Sequence, residues 1–154
     1  MISSELVPFF ESGVSIGVAT RDADGMPDVV RGLGAYVHAD RLHLTLFVPA
    51  AVAETTLSNL LRNDRVAATF SRPTDHRTLQ IKGRRVALRQ VEGAEQERIE
   101  AYLPRLAEAL CLLGMPPRIT RRLAHGPAWA IDVLVESLFD ATPGPGAGTA
   151  LVRR

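Results

Sequence analysis

Hydrophobic positions in the first fifty residues recur with a period of two. In "GVSIGVAT", Val14, Ile16 and Val18 alternate with small or polar partners, which is the pattern of a strand with one buried face. "RDADGMP" ends it: Asp24 and Gly25 tolerate the positive φ of a tight reversal, and Pro27 disfavours immediate re-entry into a sheet centre. This predicts a hairpin. "VVRGLGAYV" and "LHLTLFV", separated by "HADR", add two β-rich runs, so the N-terminal third reads as an antiparallel meander.

The period then changes. In "VAETTLSNLLRN" Val52, Thr56, Leu57, Asn59, Leu60 and Leu61 crowd one helical side, and Asn63-Asp64 ends the run, predicting a short helix. "VAATFSR" and "TLQIKGRRVAL" return to strand spacing on either side of a loop containing Pro73, Asp75 and His76. From Gly93 the apolar residues Ile99, Tyr102, Leu103, Leu106, Leu110 and Leu113 recur every three or four positions. Pro104 falls inside this stretch and predicts a kink or a break into two helices. "MPPRITRRL" reads as a further short helix, and "AWAIDVLVE" as a strand with Trp129, Ile131, Val133 and Val135 on one face. About six antiparallel strands, one inserted helix and late helical cover predict an α+β fold that is mainly β, a small barrel, because the early connections are too short for parallel crossovers.

Composition narrows the class. A chain of 154 residues with 46% hydrophobic content suits one domain, read as residues 1–140 followed by a Pro/Gly-rich arm at 141–154. The net charge of +1 with charges of both signs argues against a nucleic-acid binder or an anionic membrane surface. Cys111, the single cysteine, lies in the apolar run "LAEALCLLG" and reads as a core residue, so no disulfide framework is available. "MISSELVPFF" lacks a basic start followed by a long apolar run, from which a cytoplasmic location is expected.

The order of these segments resembles the pyridoxamine 5'-phosphate oxidase-like family of FMN-binding split barrels, from about Glu5 to Glu136. "NLLRNDRVAATF" is similar to that family's helix, "NP" and strand, and "DGMP", "RGLGAY", "LHLTLF" and "LQIKG" follow in the family's order. The resemblance implies a six-stranded antiparallel split barrel with flanking helices, and a homodimer with FMN between the subunits. It also implies a flavin-dependent oxidoreductase acting on a small molecule or a reduced nicotinamide. A non-catalytic flavin- or haem-binding sensor or carrier on the same barrel is the alternative.

By the same resemblance, Thr45, Leu46 and Phe47 lie on the strand whose main chain meets the flavin ring edge. Arg77, Thr78, Gln80 and Lys82 lie on the strand approaching ring and phosphate. The family commonly grips the phosphate with a Ser or Thr and then a Lys or Arg at the helix start; here those positions read Glu54 and Thr56. Compensating charge is therefore expected from Arg31, Arg77 or Lys82. Other constellations carry less. His38 and His43 are expected to face one another across a turn with Asp40 nearby, too few ligands for a closed zinc site. Ser71, Asp75 and His76 hold the letters of a hydrolase triad without a nucleophile elbow. His125 reads as a loop or cap residue. "FDATPGPGAG" lacks the Gly-Lys-Ser/Thr end of a phosphate loop, and an extended surface arm is expected there.

Overall fold

The computed structural model describes residues 1–120 and 126–153. The strand periodicity yields β1 (Ser15–Arg21), β2 (Pro27–Arg31), β3 (Ala35–Val37), β4 (His43–Pro49), β5 (Arg65–Ser71), β6 (Thr78–Gln90), β7 (Ala128–Asp140) and β8 (Thr149–Arg153). The helices are α1 (Val7–Phe10), α2 (Glu54–Arg62), α3 (Ala94–Leu112) and α4 (Pro117–Thr120). Among the described residues no helix is long and apolar enough to cross a membrane.

The strands run in the order β2-β1-β5-β6-β7-β4-β3, every neighbour antiparallel. The two ends of this ribbon, β2 and β3, are consecutive in the chain. They are halves of the single run read as "VVRGLGAYV", broken at Gly32-Leu33-Gly34. At the break Gly32 N–H donates to the Ile16 carbonyl at 2.9 Å, Leu33 N–H donates to that of Phe47 at 2.7 Å, and Phe47 N–H to that of Gly34 at 3.1 Å. One bent segment thus closes a six-stranded barrel, which removes the free edges of an open sheet. Glycine is required at the bend: Gly34 has φ +127°, and a Cβ at Gly32 would stand 2.7 Å from the Ile16 side chain.

Alternation fills the interior. Val14, Ile16, Val18, Ala68, Phe70, Leu79, Ile81, Ile131, Val133 and Leu138 are buried in one core, and Phe10 plugs it edge-on to Phe70 with ring centroids 4.7 Å apart. Trp129, expected on the same inward face, is half-buried. The predicted hairpin forms, with the Asp22 carboxylate accepting from the N–H groups of Asp24 and Met26 and Gly25 at φ +87°.

Three expectations need correction. Pro104 does not divide its segment, for α3 runs unbroken through it. The proline is exposed, while Tyr102 and Leu106 on either side of it are buried and hold the helix to the barrel; Tyr102 Oη–H donates to the Val14 carbonyl at 2.6 Å. Burial pushes that phenol well above its ordinary pKa. Cys111 is a half-buried free thiol, because the last turn of α3 runs past the core and exposes Leu112 and Leu113 beside it. Leu61 and Val52, assigned to the buried side of the short helix, are exposed, whereas Thr56, Asn59 and Leu60 are buried. Val52 belongs to a separate 3₁₀ turn, so it does not share the face of α2.

The C-terminal residues do more than trail over the surface. Residues 141–148 turn the chain, with Gly148 N–H donating to the Asp140 carbonyl at 2.7 Å, and β8 pairs with the second half of β7. The first half of β7 pairs with β4. Of the late helix, α4 is observed; the part of "MPPRITRRL" after Thr120 and His125 lie outside the described residues.

Candidate cofactor site

Strand register gathers the outward-facing side chains of five strands into two cross-strand rows. The first reads Arg31, Gly17, Thr69, Gln80, Phe139 from β2 through β1, β5 and β6 to β7. The second reads Val29, Ala19, Ala67, Lys82, Ser137 and continues to Arg153 on β8. The centre of this face carries only small side chains, so a flat group can approach the sheet closely. Gln80 Nε2–H donates to Thr69 Oγ1 at 3.2 Å, which leaves the Gln80 carbonyl oxygen and the Thr69 hydroxyl proton for polar groups at a ring edge.

A cleft of about 590 Å³ opens beside the second row, lined by Ala19, Ala67, Lys82 and Gly83, with Arg21 and Arg65 on its wall. Its electrostatics separate the cations into two sets. Glu136 accepts from Arg65 at 2.9 Å and from Arg84 at 2.8 Å, and Asp64 also accepts from Arg84; these carboxylates raise the Arg84 guanidinium above its ordinary pKa. Arg21, Arg31, Lys82 and Arg153 have no ion-pair partner among the described residues. In a chain of net charge +1, Arg21 and Lys82, both lining the cleft without an ion pair, make it locally attractive to anions.

Of the residues singled out by sequence, Gln80 and Lys82 stand on the outer side of β6, and Arg31 lies three strands away in the row of Gln80. Thr78 belongs to the same strand, but its hydroxyl donates to the His76 carbonyl at 2.9 Å and lies 2.9 Å from Ser71 Oγ, so it fastens the β5–β6 loop. Arg77 lies apart, its guanidinium 5.1 Å from the Phe9 ring centre. Thr56 is fully buried beneath α2 and donates to Asp28 Oδ2 at 2.6 Å. Leu46 and Phe47 are fully buried core residues. The main chain from Thr45 to Phe47 is flanked by β7 on one side and by β3 and the glycine bend on the other, and sheet pairing engages those groups.

The Thr45 side chain anchors a polar relay between β4 and the first half of β7. Its hydroxyl donates to Asp132 Oδ1 at 2.6 Å and, having one proton, accepts from His38 Nε2–H at 2.8 Å. Asp132 is in turn held by Arg89, whose guanidinium is clamped by Glu95 and raised above its ordinary pKa by that pairing. Arg98 lies 3.9 Å over the Tyr36 ring. These contacts fasten the start of α3 to the sheet.

The histidines face one another as expected, with centroids 6.1 Å apart, and Asp40 Oδ2 lies 2.6 Å from His43 Nδ1. His43 and the Leu42 and His43 N–H groups hold the Asp40 carboxyl far below its usual range. Among the described residues no group of three or more His, Cys, Asp or Glu is placed to hold a metal ion. Ser71, Asp75 and His76 do not converge, since Asp75 accepts from Arg72 and from Arg77 N–H. Sequence reasoning missed Gly17, Ala19, Ala67, Phe139 and Arg153, whose common signal is register across four or more strands.

No family model matches the chain. No curated protein matches it either. Solved structures do: an F420 reductase (16% identity, TM-score 0.58) aligns over 89% of this chain and 98% of its own. A pyridoxamine 5'-phosphate oxidase candidate from Lactobacillus delbrueckii (17%, TM-score 0.53) aligns over 90% and 93%, and an FMN-binding protein from Syntrophomonas wolfei (13%, TM-score 0.52) over 88% and 85%. The chain has the split-barrel fold of these proteins.

Proposed function

We propose that the protein is a flavin-dependent oxidoreductase that lays FMN across the two outward rows, with a second copy of the chain covering it. The observation that carries this reading is the pairing of a small-residue floor, Gly17, Ala19 and Ala67, with unmatched cations at its margins. That donor set fits a planar ring joined to an anion, and the names FMN-binding protein and F420 reductase borne by proteins of the same fold agree with it. A bound flavin accepts a hydride and passes electrons on. The chain's own part is to hold the ring against the floor, to meet its edge with Gln80 and Thr69, and to exclude water by burial between subunits. No carboxylate or histidine lies in the two rows, which leaves proton transfers to cofactor and substrate.

The haem alternative draws no support from His38 and His43, which are engaged with Thr45 and Asp40. The carrier alternative shares this site and differs in turnover. Purified protein incubated with FMN and passed through gel filtration is expected to retain flavin absorption and to oxidise a reduced nicotinamide; retained flavin without turnover favours the carrier, and a colourless protein sinks the flavin reading.

A second copy would cover apolar side chains at the rim, where Val29 and Met26 are 70% and 66% exposed. Val29→Asp is expected to shift the particle from dimer to monomer mass in light scattering. A wild-type particle of monomer mass at micromolar concentration would contradict the dimer.

A further inference from the structure

The flavin phosphate needs a cation, and the start of α2 does not provide one. Glu54 occupies its first turn, no side chain caps it, and the Thr56 proton is committed to the Asp28 carboxylate at 2.6 Å. Two carboxylates at that end repel a phosphate dianion, outweighing the helix dipole there. Two other places in the molecule bring a pair of cations to one aromatic ring. Around Phe9, Arg72 and Arg77 each stand 5.1 Å from the ring centre, but Asp75 pairs with Arg72 at 2.9 Å, and the charge on Arg77 acts on the Asp140 carboxyl, helping to lower its pKa after the Thr142 hydroxyl and N–H. Arg72 is therefore paired, and carboxylates stand beside that ring.

Around Phe139 the pair has no such partner. Lys82 Nζ lies 5.3 Å and Arg153 Cζ 5.9 Å from the ring centre, and neither has an acidic partner among the described residues. Ser137 stands between them in the same cross-strand row. The ring's negative face draws both side chains inward, against their mutual repulsion, and an anion bridging them relieves that repulsion. The geometry points to Lys82 and Arg153, gathered by Phe139, as the phosphate-monoester subsite of this protein, moved from the helix start to the β6–β7–β8 end of the two rows. This rests on the flavin reading for the identity of the ligand. It also gives the C-terminal strand a role, since the turn at 141–148 returns the chain so that β8 carries Arg153 to the site.

FMN and riboflavin differ only by the phosphate, so fluorescence titration of both against wild type, Lys82→Gln, Arg153→Gln and the double variant isolates it. Wild type is expected to bind FMN more tightly than riboflavin, and each substitution to weaken FMN binding roughly tenfold. The double variant is expected to bind both alike, with riboflavin affinity unchanged throughout. Wild type binding both flavins equally, or an FMN preference that survives the double substitution, overturns the subsite while leaving the flavin reading intact. If neither flavin binds, the flavin reading fails, and phosphorus NMR line-broadening of inorganic phosphate decides the subsite alone: broadening lost in the double variant supports it, and none with wild type overturns it.

Discussion

Gly83→Ala is expected to destabilise the protein by about 3 kcal/mol, at the upper end of what overpacking costs. A Cβ there would stand 2.1 Å from the Leu134 carbonyl oxygen and 3.0 Å from Val133 Cγ1. The first neighbour is backbone in the adjacent strand and cannot rotate away. Gly83 marks a register shift between β6 and β7, where Lys82 pairs with Ser137 but Gly83 with Val135, leaving Glu136 as the extra residue on β7. For a chain of this size the melting temperature should fall by about 6–12 °C, read by circular dichroism. Relief of the clash through a one-residue slip would turn Lys82 toward the core, so FMN affinity should fall along with stability. Unchanged melting would mean that β6 and β7 do not approach as closely as described.

That bulge shows where local pattern stops informing. Period-two alternation located β1, β5, β6 and β7, since each carries a buried row that a one-residue slip would expose, whereas β4 is buried on both faces; the Asp24-Gly25 turn follows from the φ its residues tolerate. Barrel closure was less legible: "VVRGLGAYV" reads as one strand, and only the partners Ile16 and Phe47, distant in sequence, reveal the bend at Gly32–Gly34. Pro104 misled for the opposite reason, because tertiary packing of Tyr102 and Leu106 overrides a local propensity.

The site divides similarly. Lys82, Gln80 and Arg31 were legible because polar residues in strand alternation with apolar ones must face outward. Thr56 carried the letters of a phosphate grip, yet its proton goes to Asp28, at a separation of 28 residues, and the Thr45 hydroxyl goes to Asp132, 87 residues away; no local pattern encodes either partner. The floor was invisible for a simpler reason: Gly17, Ala19 and Ala67 carry no chemistry of their own and acquire meaning only when register sets them side by side.

Ala67→Trp tests that floor directly and is expected to lower flavin affinity roughly a hundredfold, about 2.8 kcal/mol of binding free energy. Ala67 sits between Ala19 and Lys82 in the second row and lines the cleft, with its side chain directed away from the core that Val66 and Ala68 fill. An indole at that position occupies the space a flat ring needs without displacing a core residue, so the far-ultraviolet dichroism and the melting temperature should stay near wild type. The loss should be equal for FMN and riboflavin, because the obstruction lies under the ring. Substitution of Lys82 and Arg153, by contrast, should separate the two flavins. Undiminished binding of both flavins to a folded Ala67→Trp protein would move the ring off this face altogether, since no planar group can lie against β1 and β5 with that side chain in place.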